Sequence, residues 1–176
     1  MSILVQQRAP GFSAQAVMPD NSIKDDFGLE DSKGRYRIVF FYPFDFSFVC
    51  PTELLALNER LEEFQARDCD VIGVSVDSVF SHLAWKKTDV DEGGIGPIAF
   101  PLVSDLEKSI SRDYGVLNGD AVSLRATFLI DREGLVRHMT VNDMDTGRSI
   151  RDLLRTLDAV RRFDAVSYTH LRAHET

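Results

Sequence analysis

The sequence predicts an α/β fold, a central mixed β-sheet flanked by helices. Three observations predict it. Short apolar runs rich in β-branched and aromatic residues recur at 37–42, 71–76 and 126–130. Segments with apolar residues three and four apart lie between and after them. The turn Asp131-Arg132-Glu133-Gly134 folds the last run back as a hairpin before a closing helix, which points to a mixed sheet with helices on both faces.

In chain order, Arg37-Ile38-Val39-Phe40-Phe41-Tyr42 has the continuous apolar pattern of a strand buried on both faces. Val71-Ile72-Gly73-Val74-Ser75-Val76 and Ala126-Thr127-Phe128-Leu129-Ile130 read the same way. Leu135 to Val141 alternates roughly and is the returning antiparallel strand. Leu54, Leu57, Leu61 and Phe64 form one helical stripe, with Glu59, Arg60, Glu62 and Glu63 largely off it. Phe80, Leu83 and Ala84, with Trp85 in the core or at an interface, mark a second helix. Ile150, Leu153, Leu154, Leu157 and Val160 mark a third, starting near Thr146-Gly147-Arg148-Ser149. The glycine-rich loop 91–97 reads as the most flexible stretch. Residues 1–163 are expected to form one domain. Residues 164–176 share no periodicity with it and are expected to be a disordered tail or a sequence scar.

The 176 residues suit one domain, and a 44% hydrophobic fraction supplies a core without disulfides or metal. A net charge of −8 disfavours nucleic acid and anionic membrane as partners. The N-terminus lacks a basic segment followed by a long apolar one. No run approaches the roughly 18 apolar residues that span a bilayer, so a cytoplasmic location is expected. Two cysteines, Cys50 and Cys69, are too few for a secreted disulfide scaffold. The histidines offer no ligand spacing except His170 and His174 in the tail, so no metal site is expected.

The chemistry concentrates at Cys50. A buried strand ends at Pro43, an aromatic loop follows, and Cys50 stands at the start of an amphipathic helix with Pro51 in its first turn. A helix N-terminus presents free N–H groups and partial positive charge, which favour a thiolate. An ordinary thiol, with a pKa of about 8.5, is only slightly ionised at neutral pH. Ser47, three residues earlier, can reach the same pocket. Cys69 reads as a bystander thiol ahead of a buried strand.

Pro43-x-x-x-Ser47-x-x-Cys50, followed by Pro51-Thr52-Glu53, resembles the active-site signature of the peroxiredoxins. It is most similar to the typical two-Cys group, which takes in the alkyl hydroperoxide reductase and thiol-specific antioxidant proteins. The likeness continues through 71–78, 82–85, 93–96 and 124–131, over residues 3–163 in all. The resemblance implies a thioredoxin-like fold and a thiol-dependent peroxidase acting on hydrogen peroxide and alkyl hydroperoxides in antioxidant defence. It implies Cys50 as the peroxidatic cysteine, passing through a sulfenic acid, and Pro43 as its shield from bulk water. Ser47 takes the place of the hydroxyl that binds peroxide, Arg125 that of the active-site arginine, and Glu53 that of a carboxylate orienting the arginine. The implied partners are the hydroperoxide, a thiol reductant protein such as thioredoxin or a dedicated reductase, and a second copy in a homodimer or decamer. No cofactor is implied.

The chain departs from that group in one respect. No cysteine follows Cys69, so the usual C-terminal resolving cysteine is missing. Truncation, or one-Cys turnover with an outside thiol, is expected. A thioredoxin-type oxidoreductase would need a second thiol within Cys50-Pro51-Thr52-Glu53. The alternative outside catalysis is a holdase chaperone or scaffold on the same fold.

Overall fold

The structure is a computed structural model that describes residues 2–175, with side chains through Ser167. The main sheet is built from β1 (Ala14–Val17), β2 (Ile23–Phe27), β3 (Tyr36–Phe41), β4 (Cys69–Ser75), β5 (Leu102–Ser104), β8 (Arg125–Ile130) and β9 (Val136–Asn142). Its seven strands lie in the order β2-β1-β5-β4-β3-β8-β9. β6 (Leu117–Asn118) and β7 (Val122–Ser123) form a separate small ribbon. β3, β4 and β5 run parallel, whereas β8 and β9 add antiparallel strands and β1 pairs antiparallel with β5. The sheet is mixed, as the sequence predicts, and its architecture is thioredoxin-like.

β3 is buried along its whole length because both faces of the sheet are covered. Tyr36, Ile38 and Phe40 point into one apolar layer with Leu54, Leu57, Phe64, Trp85, Leu154 and Leu157. Val39 and Phe41 point into the other, with Val74, Tyr114, Phe128 and Ile130. Each large apolar side chain removed from water contributes roughly 2 kcal/mol. Both cysteines are free thiols, so packing rather than cross-linking holds the layers.

The helices are α1 (Cys50–Glu59), α2 (Leu61–Gln65), α3 (Val79–Lys87), α4 (Ser109–Asp113) and α5 (Ile150–Glu175). The single helix expected through Leu54 to Phe64 is broken at Arg60, where the backbone leaves helical geometry (φ −107, ψ 13). Its stripe is nonetheless buried as a unit. α3 turns a different face inward from the expected one. Val79, His82, Trp85 and Lys86 are buried, while Phe80 is exposed. The polar pair tolerates burial because each finds acceptors: His82 binds Asp45 and the Val103 carbonyl, and Lys86 Nζ donates to the Met18 and Pro19 carbonyls.

The loop after α3 is closely held. Gly93 has φ 88, and the N–H groups of Gly93, Gly94, Ile95 and Gly96 all donate to carbonyls between Trp85 and Val90. A Cβ on Gly94 would lie 1.9 Å from the Thr88 carbonyl oxygen, so only glycine fits. Ser149 Oγ accepts from the Asp152 N–H and caps α5. No break in secondary structure marks the boundary expected after residue 163. α5 continues through Glu175, and Asp164 accepts from Tyr36 Oη at 2.6 Å and Arg137 at 2.8 Å. The side chains of His170 and His174 lie outside the described residues.

Candidate active site

β3 delivers the chain to the buried pair Tyr42 and Pro43, after which residues 44–49 leave the sheet. Phe46 takes left-handed backbone (φ 58), an uncommon state for a bulky residue. Its ring packs on Trp85 with centroids 5.9 Å apart. Asp45 anchors the loop from beneath. Its carboxylate accepts from Tyr42 Oη at 2.8 Å and Ser81 Oγ at 2.9 Å, and contacts His82 Nδ1 at 2.8 Å. His82 Nε2 donates to the Val103 carbonyl at 3.0 Å, since a carbonyl can only accept. Asp77 accepts the Asp45 N–H at 2.8 Å, and burial pushes its carboxyl above the usual range. The loop before the cysteine is thereby pinned to β5 and α3.

α1 begins at Cys50, with Pro51 in its first turn and Glu53 one turn on. Cys50 is fully buried. Arg125 opens β8 and reaches across the layer. Its Nη1 donates to Cys50 Sγ at 3.1 Å and to Glu53 Oε1 at 2.8 Å, and its Nε donates to the Met144 carbonyl at 2.6 Å. Glu53 is held from the other side by Arg148, whose Nε and backbone N–H donate to Oε2 at 2.7 and 2.9 Å. Arg148 also donates to the Ala126 carbonyl at 2.8 Å and lies 3.4 Å over the Phe40 ring. Burial pushes the Arg148 guanidinium down from its ordinary value, while Glu53 opposes the shift.

Two guanidinium groups thus share one carboxylate, and the sulfur of Cys50 faces the positive charge that Glu53 leaves over. Donors fixed on a buried sulfur before any reaction suit attack on a bond whose leaving oxygen gains charge.

The structure brings Cys50, Glu53 and Arg125 into one hydrogen-bonded group. Pro43 is buried at the start of the loop. Ser47 is half-buried, and its hydroxyl donates to the Phe44 carbonyl at 3.1 Å, which leaves its lone pairs to accept. Among the described residues it makes no hydrogen bond to Cys50. Arg148 and the Met144 carbonyl are site groups that the sequence does not reveal. Arg148 stands among ordinary helix-start residues, and nothing in its spacing sets it apart. Cys69 is far from this chemistry in character. Burial, then Asp70, pushes its thiol up to about 12.

A thioredoxin-like sheet with a buried cysteine at a helix start, an arginine on its sulfur and a carboxylate behind the arginine defines a thiol-dependent peroxidase. The chain matches the AhpC/TSA family over residues 5–139. It is 50% identical over 165 residues to a chloroplastic 2-cysteine peroxiredoxin of Chattonella marina var. antiqua, covering 92% of this chain and 82% of that one. It is 47% identical over 163 residues to alkyl hydroperoxide reductase C of Helicobacter pylori (strain ATCC 700392 / 26695), with the same coverage. The reduced 2-Cys peroxiredoxin of Plasmodium vivax superposes with a TM-score of 0.91 at 47% identity, over 93% of this chain and 85% of that one. The chain belongs to the AhpC/TSA family, the peroxiredoxins. These relatives carry enzyme names and do not favour the holdase reading. No described helix is long and apolar enough to cross a membrane.

Proposed function

We propose that Cys50 is the nucleophile of a peroxidase that reduces hydrogen peroxide and alkyl hydroperoxides. The Cys50 thiolate attacks the terminal oxygen of ROOH. The O–O bond breaks, the bonding pair leaves with RO⁻, and a proton converts that to alcohol, or to water when R is hydrogen. The sulfur becomes a sulfenic acid, which two equivalents of an outside thiol return to thiol with release of water. Arg125 stabilises the sulfur anion and the leaving oxygen, Glu53 holds Arg125 in place, Ser47 accepts from the peroxide, and Pro43 keeps water from the sulfur. The 3.1 Å contact from Arg125 Nη1 to Cys50 Sγ carries this reading.

The chemistry needs no metal, haem or flavin, because sulfur itself cycles between two oxidation states. A thioredoxin-like protein or a dedicated reductase supplies the thiol. A reducing compartment such as the cytoplasm accords with two free cysteines. β9 is the edge strand of the sheet, and past Val136, whose backbone pairs with Gln6 and Gln7, it is the natural seam for a homodimer, from which a decamer can grow. Peroxide consumption by the protein and by Cys50→Ser, in the presence of thioredoxin and its reductase, tests the proposal. Turnover that survives in Cys50→Ser overturns it.

A further inference from the structure

Arg125 and Asn142 stand opposite each other across the β8–β9 ladder, at the end where the strands meet the site. Asn142 is the last residue of β9. Its Nδ2 donates to the Gly147 carbonyl at 3.2 Å and the Thr146 carbonyl at 3.5 Å. Both acceptors are carbonyls, so the amide nitrogen, not the oxygen, faces the loop.

The loop spanned by this contact is a tight turn. The Thr146 N–H donates to the Asp143 carbonyl at 3.0 Å, and the Asp143 carboxylate accepts the Met144 N–H at 2.7 Å. Residues 145–147 are exposed. Yet the turn supplies two parts of the site. Its Met144 carbonyl accepts from Arg125 Nε at 2.6 Å, and the residue after it, Arg148, donates to Glu53. A Cβ on Gly147 would lie 3.7 Å from Val49, the residue before Cys50, so the turn also lies against the start of α1.

We propose that Asn142 is a positioning residue for the peroxidase reaction: its amide staples the 143–147 turn, so that the Met144 carbonyl aims the Arg125 guanidinium at the Cys50 sulfur. Arg125 has three anchors around Cys50, two on α1 and one on the turn. An exposed turn without its staple samples several conformations, and the third anchor is lost with them. Misplacement of a catalytic group by about 1 Å can cost up to about 100-fold in rate. The inference rests on the reading of Cys50 and Arg125 as the reacting pair.

The test is a double-mutant cycle. Asn142→Asp keeps the side-chain size but replaces the donating amide nitrogen with an oxygen that the two carbonyls repel. The rate of Cys50 oxidation by hydrogen peroxide is followed by stopped-flow fluorescence or rapid quench in wild type, Asn142→Asp, Arg125→Ala and the double variant, with thermal unfolding alongside. Asn142→Ala takes the place of Asn142→Asp if the latter does not fold. The expected result is a loss of about tenfold from the Asn142 substitution, absent when Arg125 is already alanine. A merely structural role would lower both backgrounds alike. Equal losses in the two backgrounds, or no loss in either, overturn the proposal. A wild-type chain whose Cys50 does not react with peroxide overturns the peroxidase reading itself, a separate outcome visible in the first arm.

Discussion

Cys50 and Glu53, three residues apart on the first turn of α1, share one donor: Arg125 Nη1 lies 3.1 Å from the sulfur and 2.8 Å from the carboxylate. The helix sets the spacing, since residues three apart lie on one face. The direction of the guanidinium toward sulfur is therefore governed by a residue that does not itself react.

Replacing Arg125 by lysine keeps the charge and loses the fork. A lysine ammonium cannot satisfy Glu53, the Met144 carbonyl and the sulfur from one fixed plane. The rate constant for Cys50 oxidation is expected to fall by about 10²–10³, as when an aligned donor is removed from a reacting centre. Stopped-flow kinetics at several peroxide concentrations measures it.

Glu53→Gln removes the side-chain carboxylate that the buried Arg125 and Arg148 share. Breaking a buried pair from one side leaves charge uncompensated, so a loss of about 3–5 kcal/mol is expected. Urea unfolding at pH 7 reads the loss. Peroxide reactivity should fall as well, because Arg125 is no longer held.

Cys69 is expected to stay inert while Cys50 reacts. A thiol pushed up to about 12 by burial is protonated throughout the physiological range, and the thiolate is the nucleophile. Labelling with iodoacetamide at pH 7–8 should leave Cys69 unmodified in native protein and modify it readily in urea. Peptide mass spectrometry separates the two sites.

Arg67, in the turn after α2, ties that turn to α5 through a two-point contact with Asp158, at 2.7 and 3.1 Å. The hydrogen bond from Arg67 holds the Asp158 carboxyl below its ordinary value. A folded pKa below the unfolded one means stability that is present above about pH 4 and lost as pH falls through the folded value. The pair is open to solvent on one side and worth about 0.5 kcal/mol. Asp158→Asn should lower stability by that amount at pH 7 and by nothing near pH 2, as read from urea titrations at the two pH values.

Much of the frame was legible in the residues. The strand at 37–42 and its partners at 71–76 and 126–130 announce themselves because a strand covered on both faces has no polar positions to interrupt it. The hairpin followed from Asp131-Arg132-Glu133-Gly134. The face of α3 was not legible. His82 and Lys86 look like surface residues until Asp45 and the Met18 carbonyl, 37 and 68 positions away, supply their partners. The break at Arg60 is a local backbone choice inside an otherwise continuous apolar stripe. At the site, Cys50 could be placed at a helix start from Pro51 and the stripe that follows. Arg125 and Glu53 came from the family likeness, and their mutual contact is long-range. Arg148 carried no mark at all, since its role exists only once β8, β9 and α1 have been brought together.

The central claim, that Cys50 is the residue whose sulfur meets the peroxide, is tested most directly by intact-protein and peptide mass spectrometry after one equivalent of hydrogen peroxide, with dimedone present to trap sulfenic acid. The expected result is a single dimedone adduct on Cys50, with Cys69 unmodified and the adduct absent in Cys50→Ser. Peroxide consumed by folded protein while Cys50 remains a free thiol would contradict the account.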